Sequence, residues 1–204
     1  MTGVPPRIAL ATRNPHKLRE LARICADWPT SWVSVENHDP AAFPDVEETG
    51  DTYLDNARLK AVAVAAALGL PALADDSGIE VDALGGKPGP RSARYAGEHA
   101  SDEENLRALI QAVRGVPTAG RTARYRCVAA LAWPEGRFAH VEGTCEGTLR
   151  RATAGSNGFG YDPIFEPVGR DVTMAELADP EKDRISHRGR AFRALREALD
   201  RPPS

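Results

Sequence analysis

At 204 residues with 42% hydrophobic side chains, the chain has enough apolar material to bury a core of its own. A charged fraction of 27% and a net charge of −3 supply no positive excess for tracking a nucleic-acid backbone, and the longest apolar stretch, Ala61 to Leu68, is far shorter than the ~18 residues of a membrane span. Nucleic-acid polymers and membranes are therefore not expected partners.

The opening Met1-Thr-Gly-Val-Pro-Pro-Arg7 lacks the charged and then apolar regions of a signal peptide, so a cytoplasmic location is expected. Ile8 to Thr12 reads as a short strand ending in a polar turn. Asn14-Pro15 then predicts a helix cap followed by a first-turn proline. Leu18, Leu21, Ala22 and Cys25 recur at the spacing of one buried helix face, with Lys17, Arg19, Glu20 and Arg23 directed elsewhere. A second helix is predicted from Thr52, capped by Thr52 and Asp55, through an alanine-rich stretch to Leu68 and a stop at Gly69. Pro71 to Ala74 reads as a short buried strand that delivers Asp75-Asp-Ser-Gly78 at its C-terminal end, the usual place for a ligand in an open α/β sheet. Four glycines and two prolines mark residues 85–97 as an irregular loop.

Ser101 and Glu104 form a capping box for a helix through Val113, with Leu106, Leu109, Ile110 and Val113 inward. Alternation from Thr122 to Trp133, a turn at Pro134-Glu-Gly136 and a partner strand to Leu149 predict a β-hairpin. Residues 152–161 form a glycine-rich loop. A last helix from about Ser186 to Leu199 buries Phe192, Leu195 and Leu199, and the tail 201–204 is expected to be disordered. Cys25, Cys127 and Cys145 form no CxxC pair and are read as buried free thiols.

Four polar constellations punctuate this α/β pattern. Glu47-Glu48 and Asp75-Asp76 supply the hard carboxylate oxygens that Mg2+ takes alongside phosphates and water, although an acidic doublet ahead of a helix also serves as a dipole partner. Thr12 to Lys17 places hydroxyl, amide and ammonium groups at a helix N-terminus, where an anion is favoured; an ordinary capped helix start accounts for the same residues. The GxxxxGK[ST] spacing of a Walker A loop is missing. Phe159 between two glycines is suited to stacking on a flat ligand. His187 and Arg188 open a helix where its dipole disfavours cations, a cost that a ligand or a solvated turn would offset.

Through Ala11-Thr-Arg-Asn-Pro-His-Lys17, Glu47-Glu-Thr-Gly50, Asp55-Asn-Ala57, Lys60-Ala61, Ala74-Asp-Asp-Ser-Gly78, Ser92-Ala-Arg-Tyr-Ala-Gly97, Gly158-Phe-Gly-Tyr-Asp-Pro163, Ala175-Glu-Leu177, Glu181-Lys182 and Ile185-Ser-His-Arg-Gly189, the chain resembles the inosine/xanthosine triphosphate pyrophosphatases from about Ile8 to Ala191. The resemblance implies a single domain over 1–204, an elongated mixed β-sheet flanked by helices, in two lobes with the active cleft between them, and a homodimer. It further implies Mg2+-dependent hydrolysis of ITP, dITP and XTP to the monophosphate and pyrophosphate, which cleanses the nucleotide pool.

By the same resemblance, Glu48 and Asp76 hold the metal and Asp76 accepts the proton of the attacking water. Thr12, Arg13, Asn14, Pro15, His16, Lys17 and Ser77 contact the substrate, and Phe159, Gly160, Tyr161, Asp162, Lys182, His187 and Arg188 form the base pocket. Arg13 stands where the family commonly has Gly, Pro15-His16 departs from its usual small residues, and Asp183 replaces a common Asn. Donors from Lys182 and Arg188 would match the six-keto oxygen of inosine and xanthosine and face a mismatched amino group on adenosine. Two other classes fit the same motifs: a purine-nucleotide sensor without hydrolysis, in which Asp76 has no task, and a house-cleaning pyrophosphatase for modified pyrimidines, which has no six-keto preference.

Overall fold

A computed structural model describes residues 3–201, so the tail beyond Arg201 lies outside the described residues. The elements are β1 (Arg7–Leu10), α1 (Pro15–Ile24), β2 (Ser31–Val33), α2 (Tyr53–Leu68), β3 (Ala72–Val81), α3 (Asp102–Ala112), β4 (Thr122–Ala132), β5 (Phe138–Leu149), β6 (Phe165–Pro167), α4 (Asp179–Ile185) and α5 (His187–Asp200). The six strands make one mixed sheet in the order β2-β1-β3-β4-β5-β6, with β1 parallel to β2 and β3 and β5 antiparallel to β6. This is the expected α/β class.

Local chemistry sets the helix ends. Asn14 accepts from the amides of His16 and Lys17 and Pro15 opens α1, while Thr52 accepts from the Asp55 amide at the start of α2. Gly69 ends α2 with φ of 62°, in the left-handed region where a side chain is disfavoured. Ser101 and Glu104 close a reciprocal capping box on α3. The β4–β5 turn is held by Gly136 N donating to Trp133 O at 3.0 Å and Trp133 N donating to Arg137 O at 2.9 Å.

Four expectations need correction. The strand at residue 72 does not stop at Ala74 but runs to Val81, carrying Asp75-Asp-Ser-Gly78 in mid-strand rather than at its end. A polar run is tolerated there because its buried groups have partners, and Gly78 is required because a Cβ would lie 2.3 Å from Gly89 O and 2.5 Å from Ser92 Oγ. The stretch 85–97 is not wholly irregular, since 3-10 turns occupy Asp82–Leu84 and Gly89–Arg94 around it. On α1, Ala22 is exposed and Glu20 is buried, the reverse of the periodic assignment, because Glu20 is ion-paired. Leu199 is only half-buried. The three cysteines are free and buried, as expected.

The chain divides into two compact units: the described residues of Met1–Asp76, Cys127–Gly143 and Arg188–Ser204, and those of Ser77–Arg126 and Thr144–His187. In the first unit both faces of the sheet are covered. Ile8, Leu10, Leu73, Cys127, Ala129 and Leu131 pack with Leu18 and Leu21 of α1 and Phe192 and Leu195 of α5. The alternate residues Ala9, Ala72, Ala74, Val128, Ala130 and Ala132 pack with Ala57, Ala61 and Ala65 of α2. An alanine stripe at i, i+4, i+8 against an alanine-rich strand face lets the helix lie close to the sheet. The second unit has its own core around Ile79, Leu109, Tyr125, Phe165 and Met174.

Candidate active site

Strand alternation determines the fate of the acidic pair. Leu73 faces α1 and α5 while Ala72 and Ala74 face α2, so Asp75 and Asp76 leave β3 on opposite sides of the sheet. Asp75 is 2% exposed, and its Oδ2 lies 3.1 Å from Lys17 Nζ and 3.1 and 3.3 Å from Arg188 Nη2 and Nε. Burial alone would raise the Asp75 carboxyl, but Lys17, Arg188 and Lys60 override it and hold the group well below the ordinary carboxylate range. Arg188, also 2% exposed, pairs with Glu20 of α1 through Nη1.

Asp76 sits among different neighbours. Its Oδ2 accepts from Asn56 Nδ2 at 3.1 Å, and its Oδ1 is 3.8 Å from Lys60 Nζ. Lys60 also donates to Glu48 Oε1 at 2.5 Å, so one ammonium gathers Glu48 and Asp76. Asn56 and Lys60 are four residues apart on α2, beside its alanine stripe, which aims both at the same strand face. Asn56 Oδ1 in turn accepts from Gly50 N at 2.8 Å and ties down the segment that carries Glu48.

Neighbouring carboxylates here have opposite acidities. Burial pushes Asp76 above its ordinary value, helped by Glu48 and only partly opposed by Lys60 and Lys17. Glu48 is also penalised by burial, yet its ion pair and hydrogen bond with Lys60 bring it below the ordinary range. Lys60 is held protonated: burial favours loss of its proton, but Asp76, Glu48 and Asp75 outweigh that and raise it. Glu47 is exposed. One member of each acidic doublet therefore belongs to the cluster around Lys60, and Lys60, Asn56 and Glu20 are polar components that the motif reading did not assign. Their signal was present as polar positions adjoining the apolar stripe of an amphipathic helix.

At the turn before α1, Asn14 Oδ1 accepts from His16 N at 2.8 Å and Lys17 N at 3.3 Å, and Thr12 Oγ1 accepts from Asn14 N at 3.2 Å. Two of the helix-start amides are thus capped internally. Lys17 bends back to Asp75, and Pro15 is exposed with His16 half-buried beside Arg19.

In the second unit, the Gly158-Phe-Gly160 turn is built around a buried ion pair. Lys182 Nζ lies 2.6 Å from Asp162 Oδ2, which also accepts from Phe159 N at 3.0 Å. The ammonium lies 5.5 Å from the centroid of the half-buried Phe159 ring, within cation–π range. At Gly158, φ is +77° and a Cβ would sit 2.1 Å from Asp162 Oδ2, so the turn admits only glycine. Gly160 N donates to Asp102 Oδ2 at 3.2 Å, and Tyr161 OH donates to Ser92 O at 2.7 Å. Ser77 is half-buried on β3. His187 is buried with its ring stacked on Tyr125, 4.6 Å between centroids and 8° from parallel.

His187 lies against Tyr125 in the second unit, and Arg188 lies between Asp75 and Glu20 in the first. The dipole cost of a cation at the start of α5 is offset by these two carboxylates, so it needs neither a ligand nor solvent.

The Ham1 family profile matches residues 8–198. The chain belongs to the Ham1 family. It is 51% identical over 191 residues to a dITP/XTP pyrophosphatase of Streptomyces coelicolor, covering 93% of this chain and 94% of that protein. A dITP/XTP pyrophosphatase of Geobacter sulfurreducens is 48% identical, with 95% and 96% covered. The structure of a HAM1 protein from Coxiella burnetii superposes with a TM-score of 0.85 at 39% identity, over 96% of this chain and 98% of that one. Among the described residues no helix is long and apolar enough to cross a membrane.

Proposed function

We propose that this Ham1 enzyme hydrolyses the deaminated purine nucleoside triphosphates dITP, XTP and ITP to the nucleoside monophosphate and pyrophosphate. The observation that carries the reading is the convergence of Glu48 and Asp76 on Lys60. A carboxylate held beside an attacking water can take its proton. A nucleotide sensor has no use for it.

Glu48 and Asp76 would hold Mg2+, which takes one or two carboxylates together with phosphate oxygens and water. Among the described residues no cluster of three or more His, Cys, Asp or Glu side chains is placed to hold a metal alone, which fits an ion completed by its substrate. When bound, the ion would neutralise phosphate charge and acidify the attacking water. Thr12, Asn14 and Lys17 would receive the triphosphate, with Ser77 a further contact. Lys17 adds positive charge, and Asp75 keeps its ammonium in place. Asp76 would accept the water proton. Lys60 would keep Glu48 and Asp76 from repelling each other before the metal arrives.

The purine would stack on Phe159. A six-keto purine offers an acceptor at O6 and an N–H at N1, complementary to the Lys182 ammonium and the Asp162 carboxylate; adenine reverses both, a mismatch of ~1–3 kcal/mol. Enzymes of this kind would act on the cytoplasmic nucleotide pool as homodimers, which light scattering of the purified protein tests. The activity is tested by incubation with Mg2+ and single triphosphates in 18O-labelled water. Pyrophosphate and a monophosphate, sharing one 18O between them, are expected; orthophosphate and a diphosphate would refute the reading.

A further inference from the structure

Residues 34–52 contain neither strand nor α-helix, only the 3-10 turn Pro40–Ala42, yet they carry Glu48. Three anchors on this stretch come from α2 and its core: Phe43 is buried among the alanines, Glu48 pairs with Lys60, and Gly50 donates to Asn56. A fourth comes from elsewhere in the chain. Arg13 Nη2 donates to Phe43 O at 2.7 Å and to Pro40 O at 3.2 Å, linking positions 27 and 30 residues apart. Pro40 opens the 3-10 turn and Phe43 caps its C-terminal end, where peptide dipoles favour a cation. A guanidinium suits the task because it is weakly hydrated and offers fixed, diverging donors.

Arg13 is also the residue between Thr12 and Asn14, whose side chains shape the turn before α1. We propose that Arg13 is a positioning residue that straps the Glu48 segment to this turn, and that it is not a phosphate ligand. The strap ties the place where the triphosphate is received to the residue that would hold the metal, so that metal affinity depends on it. This rests on the proposed function only for its kinetic consequence. The strap itself is a statement about residues 40–50.

Arg13→Ala and Arg13→Lys test it in two arms. Hydrogen exchange without nucleotide or metal should speed severalfold at residues 40–50 in Arg13→Ala and stay unchanged in β1 and α2; Lys, which can reach one carbonyl, should be intermediate. In turnover, the Mg2+ activation constant should rise about three- to tenfold in Arg13→Ala, the factor that one or two net hydrogen bonds carry, with the loss recovered at excess Mg2+ and kcat largely kept. A raised nucleotide KM at saturating Mg2+ with exchange unchanged would overturn the strap and make Arg13 a phosphate ligand. Unchanged exchange with unchanged kinetics overturns it as well. If the wild type hydrolyses no triphosphate, the functional reading fails, and the exchange arm still decides whether Arg13 holds the segment.

Discussion

Replacing each of the adjacent carboxylates Asp75 and Asp76 with asparagine should give opposite phenotypes, although the two substitutions are chemically the same. The Asp75 side chain is 0% exposed and shares one oxygen between Lys17 and Arg188, whose side chains are 14% and 3% exposed. Asp75→Asn takes a buried carboxylate away from both Arg188 and Lys17. Removing one partner of a buried ion pair costs ~3–5 kcal/mol. At roughly 2–4 °C per kcal/mol for a chain of this size, the melting temperature should fall by about 6–20 °C.

Asp76 is the reverse case. Burial already disfavours its charge, and Lys60 keeps Glu48 as a partner when that charge is removed. Asp76→Asn should therefore melt within ~1 kcal/mol of the wild type, yet lose nearly all turnover because an amide accepts no proton and is a poor Mg2+ ligand. Thermal and urea unfolding by circular dichroism, paired with turnover of ITP, reads both variants. A stable Asp75→Asn beside an unfolding Asp76→Asn would refute the reasoning from strand alternation.

Three further outcomes follow from the same geometry. Because the folded Asp75 pKa is depressed, its stabilisation is fully present above the ordinary carboxylate value of ~3.9 and is lost as pH falls below it, so wild-type stability should decline from about pH 4 downward with a visibly shallower slope in Asp75→Asn; equal slopes in urea titrations at several pH values would exclude Asp75 as the source. Arg188→Ala should destabilise by ~3–5 kcal/mol, since it removes a buried guanidinium from the Asp75 and Glu20 carboxylates; a variant of wild-type stability that only narrows the preference for ITP over ATP would return Arg188 to base reading. Phe159→Ala should weaken all purine triphosphates together by ~1–3 kcal/mol in kcat/KM, the worth of one base–aromatic stack; a change confined to six-keto purines would show that the ring does more than stack.

Much of the fold was legible because its signals are local. Asn14-Pro15, Thr52 with Gly69, and Ser101 with Glu104 each mark a helix end by hydrogen-bonding chemistry within a few residues, and the observed helices begin and stop there. Residues whose meaning depends on long-range partners were harder to place. Asp75-Asp-Ser-Gly78 breaks an apolar run and so resembles a strand end, but Lys17, Arg188, Asn56 and Lys60 pair its acids and let β3 continue. Glu20 looked like a solvated helix position for the same reason: its partner Arg188 lies 168 residues away. The candidate carboxylates could be named from motifs, whereas their division between two faces of the sheet required only period-two alternation, once the strand was known to persist beyond Ala74.

The most direct test of the proposed activity is the ratio of kcat/KM values for dITP, XTP and ITP against dATP and ATP, measured with the purified protein and Mg2+ by pyrophosphate release. Ratios of about tenfold or more over dATP and ATP, with pyrophosphate as product, are expected from a donor–acceptor mismatch of ~1–3 kcal/mol at Lys182 and Asp162. Equal ratios across the panel, or turnover confined to modified pyrimidine triphosphates, would contradict the account.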